Sequence, residues 1–206
     1  EFNAGTGSQL QADGQARLCA SIMDGTRLRF AAVINLEKIK NPILVARALL
    51  EEKDRVLCGK GALQYATKKL RLKSEDPRTK QSVRRWEKWK DGGGYDTVGA
   101  CALARFGHLA SATSSGGRGF ARPGRVSDSG MPVANYADER CAISATGMGE
   151  EIIDEGLAIK IATRVQDGLS FGRVFQKTFR EIRARNRRMG AIGLDREGNL
   201  AALTTT

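Results

Sequence analysis

The sequence has one histidine, His108, and only four cysteines in 206 residues. Cys19, Cys58, Cys101 and Cys141 lie about forty residues apart, with no Cys-x-x-Cys pair and no Cys/His pairing. That spacing excludes a conventional zinc centre. A Ser/His or Cys/His catalytic arrangement would have to use His108. His108 stands in RFGHL, beside a glycine between two apolar runs, where a hairpin turn is expected. No apolar run approaches the roughly 18 residues that a membrane-spanning helix needs, because Arg, Lys or Glu interrupts each one. Each cysteine is flanked by small or apolar residues (LCAS, VLCGK, GACAL, RCAIS). This suits buried free thiols in a reducing compartment, so a cytoplasmic protein is expected. A basic-then-apolar leader is also missing: the chain opens EFNAGTGS without an initiator Met and reads as the middle of a longer protein.

What is present fits one substantial globular domain. Hydrophobic residues make up 41% and charged residues 28%, which rules out a wholly disordered chain. The formal charge of +11 has two sources. Residues 68–90 hold ten Lys or Arg against three acidic residues, and 180–188 hold five Arg against one Glu; the remainder is neutral. The larger cluster lies in a stretch whose composition suggests a solvated linker rather than a folded basic face. Charge alone therefore points only weakly to a polyanion partner.

Along the chain, 20–25 and 29–36 read as strands between turns, and Asn41-Pro42 opens a helix with Ile43, Leu44, Ala46, Arg47 and Leu50 at helical spacing. A second helix is expected over about 61–70. From 71 to 94 the pattern dissolves into Lys, Arg, Ser, Asp and Pro, ending in three glycines. Order resumes at Thr97 with a tight hairpin. The chain's end repeats that segment: 99–115 and 190–206 share eight of seventeen residues, with small residues at alternate positions. Such strands suit burial on both faces. Between the repeats come a Gly/Ser/Arg-rich loop (114–135), a strand at 141–145, a helix over about 150–168 and a second over 169–189. The first of these helices carries Ile152, Ile153, Leu157, Ile161 and Val165 on one stripe. Layered packing of helices on sheets follows.

The junction DGGGYDTVGA, spanning 91–100, admits two readings. One is an ordinary loop entering a strand. The other is a cleavage point at the Asp96–Thr97 bond, which would give Thr97 a free α-amine beside its hydroxyl. Such an amine has an unperturbed pKa of about 7.7–8.0, so part of it is neutral at physiological pH and can act as base for the hydroxyl. This chemistry needs no histidine.

Seven motifs occur in order: FNAGTGS, ASIMDG, KNPILVAR, DTVGACAL, ATSSGG, RPGRVSDS and SATGMGE. Together they resemble the plant-type L-asparaginase/isoaspartyl peptidase family of N-terminal-nucleophile hydrolases, over nearly the whole chain apart from the basic stretch. The resemblance implies an α+β fold, a four-layer αββα sandwich, here expected to lack family strands at both ends. It implies self-cleavage into an α part (1–96, with 71–96 as flexible basic linker) and a β part (97–206) that stay together as one domain. A homodimer of such αβ units is expected, with no membrane or nucleic-acid partner.

Carried over by position, the resemblance makes Thr97 the nucleophile and Asp96/Thr97 the cleavage site. The substrate would be L-asparagine or a β-aspartyl peptide, and the product L-aspartate. Ser115 takes the place of a threonine whose hydroxyl holds the nucleophile; the hydroxyl is kept, but a methyl that restrains the rotamer is lost. Thr146 and Asn3 would stabilise the oxyanion. Arg125 and Asp128 would grip the substrate's α-carboxylate and α-amine, with Gly147 and Gly149 allowing close backbone approach. No cofactor is required, although Phe2, Ala4 and Thr6 fall where family carbonyls coordinate a structural sodium ion. Cys19 replaces a usual aspartate. The alternatives are a glycosylasparaginase acting on asparagine-linked sugar, or a truncated, non-catalytic basic protein associated with nucleic acid.

Overall fold

The computed structural model describes residues 4–88 and 95–205. The first sheet begins with an antiparallel pair, β1 (Leu18–Asp24) and β2 (Arg29–Leu36). Next come α1 (Pro42–Leu49), β3 (Val56–Cys58), α2 (Gly59–Gln64) and a π-helical turn over Tyr65–Lys69. After α3 (Lys80–Lys88), the hairpin β4 (Tyr95–Leu103) and β5 (Leu109–Arg118) completes this sheet in the order β3-β2-β1-β5-β4. All its pairings are antiparallel except β2 with β3.

The second sheet, β6-β7-β8-β9, is antiparallel throughout. Its strands are β6 (Asn135–Ala137), β7 (Cys141–Gly147), β8 (Met189–Asp195) and β9 (Leu200–Thr204). Between β7 and β8 lie α4 (Gly149–Glu155), α5 (Leu157–Gln166) and α6 (Phe171–Ala184). The fold is mixed α+β, with two sheets and helices packed on them. Among the described residues no helix is long and apolar enough to cross a membrane.

Strand alternation assigns the faces. In β1, Ala20 and Ile22 pack with Val33, Val45 and Leu49 beneath α1. In β7, Cys141, Ile143 and Ala145 pack under α5 and α6, where Phe175 lies 5.0 Å from Phe171 and 6.2 Å from Phe179. Burying such a ring contributes roughly 1.5–3 kcal/mol. Between the two sheets lie an apolar cluster of Met23, Leu109, Ala137, Ala142 and Leu194 and, beside it, a group of hydroxylated and amide side chains. Thr113 and Ser144 share a hydrogen bond of 2.8 Å, and Asn135 Nδ2 donates to Ser21 Oγ at 2.9 Å. A side chain at Gly99 would stand 2.1 Å from Ser144 Oγ, so glycine is what lets β4 lie this close to β7.

Several expectations change. The segment 71–96 is not a loose linker through residue 88. Pro77 is buried and its carbonyl accepts the amide of Gly7 at 2.7 Å, while the Glu75 amide donates to the Lys38 carbonyl at 2.8 Å. Thr79 and Ser82 cap α3 reciprocally: the Ser82 amide donates to Thr79 Oγ1 (3.1 Å) and the Thr79 amide to Ser82 Oγ (2.9 Å). Arg78 and Arg85 donate to the carbonyls of Gly14 and Gly7, so part of the basic charge fastens the segment down. The helix expected over 150–168 is interrupted at Gly156, whose left-handed φ of 58° ends α4 before α5 restarts. Of the four cysteines, all free, Cys19 and Cys141 are buried, Cys101 is half-buried and Cys58 is exposed. The internal repeat corresponds to two hairpins in different sheets, β4–β5 and β8–β9.

Candidate active site

The site is built around the start of β4. Asp96 pairs with Gly117 and Thr97 with Ser115, so Gly116 is an unpaired residue, a bulge in β5 beside the Asp96–Thr97 bond. Gly117 adopts φ +75°, a left-handed conformation that glycine accepts freely. Its amide donates to Ser115 Oγ at 2.9 Å. Thr97 Oγ1 donates to the same oxygen at 3.3 Å. Alternation sends Thr97, like Gly99, toward the second sheet. There it lines a cavity of about 650 Å³ with Thr146, Gly147, Met148 and Arg188, whose further wall is largely apolar: Met189, Ile192 and Leu203.

Thr146 and Gly147 end β7. Gly147 has φ +141°, and a side chain there would stand 2.6 Å from the Arg188 carbonyl oxygen. Only glycine fits this strand end. Gly149 then opens α4, and its bare Cα matters more to the site. A Cβ on it would lie 2.6 Å from Asp128 Oδ1 and 2.7 Å from Arg125 Nη2. The two charged atoms thus flank one small space, without forming an ion pair with each other. Asp128 is buried, and burial pushes its carboxyl up to about 6, against the hydrogen bond from Ser127 Oγ and the field of Arg125. Arg125 is itself largely buried; desolvation, the largest single influence, works against its charge, but the paired Glu150 and the nearby Asp128 together raise its pKa.

The expected residues therefore fall into two joined groups. Thr97 contacts Ser115 and shares a cavity wall with Thr146 and Gly147. Arg125, Asp128 and Gly149 cluster beside it, connected through the short stretch 147–149. Asn3 and Phe2 lie outside the described residues, as does the side chain of Asp96. Of the carbonyls expected at a sodium ion, that of Ala4 accepts from Ser114 Oγ at 2.8 Å, and Thr6 is exposed. Among the described residues no group of three or more His, Cys, Asp or Glu could hold a metal ion. His108 follows the turn at 105–107 and is exposed, in keeping with its reading as a turn residue.

One contact of the candidate site was not expected from sequence. Glu150 grips Arg125, with Nε to Oε1 at 2.7 Å and Nη2 to Oε2 at 3.0 Å. The available signal was an acidic residue in the first turn of a helix directly after TGMG.

The sequence profile of the family described as "Asparaginase" matches residues 1–95 and 90–206. The chain is 44% identical to the "Isoaspartyl peptidase/L-asparaginase" of Nostoc sp., across 97% of this chain and 69% of that relative. It is 42% identical to the protein of the same name from Synechocystis sp., covering 97% of this chain and 66% of the relative. The "Plant-type L-asparaginase" of Pyrobaculum calidifontis is 35% identical, again across 97% of this chain and 73% of its own length.

Proposed function

The chain belongs to the asparaginase family, and on that premise we propose that it hydrolyses L-asparagine and β-aspartyl peptides to L-aspartate with Thr97 as nucleophile. The observation that carries this reading is one arrangement. Thr97 and Thr146 face a common cavity, and beside them Gly149 leaves Arg125 and Asp128 close together but unpaired with each other. An α-amino acid head needs such a pair: a guanidinium for its carboxylate and a carboxylate for its ammonium.

Breaking the Asp96–Thr97 bond frees the Thr97 amine, which takes the proton from its own hydroxyl as Oγ1 attacks the side-chain amide carbonyl. Ser115 holds Oγ1 in place. Thr146 and Asn3 donate to the oxygen on which negative charge develops. The tetrahedral species collapses as the amine's proton passes to the leaving nitrogen, releasing ammonia or a peptide. Water then loses a proton to the same amine, attacks the acyl ester and frees aspartate; the proton returns to Oγ1. We read the two helix-covered sheets as the four-layer αββα sandwich of N-terminal-nucleophile hydrolases. Residues 1–96 and 97–206 would be its two processed parts, and two αβ units would form a dimer in the cytoplasm. A sodium ion near Ala4 and Thr6 is proposed only as a structural brace. Carbonyls of Phe2, Ala4 and Thr6 would hold it, and no step runs through it.

Denaturing mass spectrometry of the purified protein, paired with an assay of aspartate release, tests the reading. Two fragments meeting at Asp96/Thr97 and turnover of asparagine or a β-aspartyl dipeptide are expected. Thr97→Ala is expected to abolish both. An unsplit chain without turnover, or a Thr97→Ala variant that still works, overturns it.

A further inference from the structure

The contact between Arg125 and Glu150 has no assigned role in the chemistry above. Arg125 carries five N–H donors in a planar fork. Glu150 occupies one edge of that fork, taking Nε at 2.7 Å and Nη2 at 3.0 Å in a bidentate pair. The other edge, Nη1 with the second Nη2 hydrogen, has no carboxylate on it among the described residues. Arg125's side chain is only 12% exposed, whereas Glu150's is 51% exposed. The guanidinium is thus fixed in the site, and its anchor reaches in from the surface. Glu150 is itself set by the start of α4, one residue after the glycine that makes room for Nη2. Arg118 Nη1, at 3.9 Å from Oε1, adds a second cation behind it.

We infer that Glu150 is a positioning residue: it locks the Nε/Nη2 edge of Arg125 so that the Nη1/Nη2 edge is presented to the α-carboxylate of the substrate. Without it the guanidinium would lose its fixed plane. Its charge would also be left largely buried with only Asp128 nearby, which would draw the fork onto the group reserved for the substrate's ammonium. Glu150 gives the arginine a second carboxylate and so keeps Asp128 free. Bidentate pairing fixes orientation as well as charge, and a single amide cannot reproduce it.

This inference rests on the proposed substrate and is testable apart from turnover. L-Aspartate, the expected product, is titrated into wild type, Glu150→Gln and Glu150→Asp by calorimetry. Thermal unfolding of each variant checks that the fold is retained. Glu150→Gln is expected to weaken aspartate binding about tenfold or more, the order set by loss of a charged hydrogen-bonded partner. Glu150→Asp keeps the charge on a shorter stem and should recover part of that loss. In steady-state assays KM should rise while kcat stays within a few-fold. For 3-aminopropanamide, which is asparagine without its α-carboxylate, the Glu150→Gln penalty should vanish.

Equal aspartate affinity in all three proteins, or an equal penalty on the substrate lacking the carboxylate, overturns the role of Glu150 and leaves the threonine chemistry intact. Aspartate binding that depends on Glu150 in a chain without turnover would instead keep the clamp and sink the threonine chemistry. A wild-type chain that neither binds aspartate nor turns over substrate overturns both.

Discussion

Thr97 Oγ1 donates to Ser115 Oγ at 3.3 Å across neighbouring strands, while the same serine oxygen accepts the amide of Gly117 at 2.9 Å. The second bond comes from the bulge around Gly116, whose extra residue turns the Gly117 amide back toward the strand. Serine lacks the methyl that stiffens a threonine rotamer. Here the bulge amide restrains the hydroxyl instead.

From this follows the first prediction. Ser115→Ala removes the acceptor that orients the hydroxyl of Thr97, the proposed nucleophile, without touching the proposed head-group site. It should lower kcat about 10–100-fold, or roughly 1.4–2.8 kcal/mol of transition-state stabilisation, with KM little changed. Initial rates across a substrate series check this. A large rise in KM at constant kcat would mean that Ser115 serves binding.

Gly149→Ala tests the space between the charged partners. The added Cβ would lie 2.6 Å from Asp128 Oδ1 and 2.7 Å from Arg125 Nη2, closer than real contacts allow. The position is the first of a helix, where alanine is otherwise favoured. Secondary structure measured by circular dichroism should therefore survive, while kcat/KM falls about 100-fold or more as the clamp is pushed apart. Activity near wild type would show that the head group does not bind between these two residues.

Much of the fold was legible because strands and hairpins write themselves in local pattern. The alternating small residues of 99–115 and 190–206 marked both hairpins, and Pro42 marked the start of α1. Gly156 was harder, since the stripe of Ile152, Leu157, Ile161 and Val165 stays in phase across the break it makes. Glu150 was hidden because its partner lies 25 residues away, and pairing across that distance leaves no trace in spacing.

The segment 71–88 was misjudged for a different reason. Its charge obscured a narrow apolar face: Trp86 stacks on Phe120 with centroids 5.8 Å apart and planes 7° from parallel, and its indole N–H donates to the Gln11 carbonyl at 3.0 Å. One aromatic ring anchors this segment, where composition suggested only solvation. Trp86→Ala should destabilise the protein by about 2–3 kcal/mol, since the ring is only partly buried. In urea titration the midpoint should fall, and limited proteolysis should open new cuts within 71–88. An unchanged midpoint with the segment still protected would mean that the carbonyl contacts of Arg78 and Arg85 suffice.

The pH dependence separates the head-group role of Asp128 from the chemistry at Thr97. Burial raises the Asp128 carboxyl from 3.8 to about 6. A folded pKa above the unfolded value means that this group's contribution to folding is fully present below about 4 and is lost as pH rises through about 6. Substrate binding has the opposite sign, because only the ionised carboxylate attracts an α-ammonium. A terminal Thr97 amine, as proposed, would give kcat/KM an acid limb from about 7.7–8.0 downward. Protonating Asp128 should steepen that limb from one decade per pH unit to two below about 6. Asp128→Asn should be weakly active at every pH and keep the one-decade slope throughout. The same variant, freed of a buried charge, should be more stable than wild type at pH 8 by roughly 1–3 kcal/mol in denaturant unfolding, with the difference fading toward pH 4. A wild-type profile that keeps a single slope down to pH 5, alongside an Asp128→Asn variant no more stable at pH 8, would show that burial does not raise the Asp128 carboxyl; an Asp128→Asn variant as active as wild type at pH 8 would show that Asp128 does not face the substrate's amine.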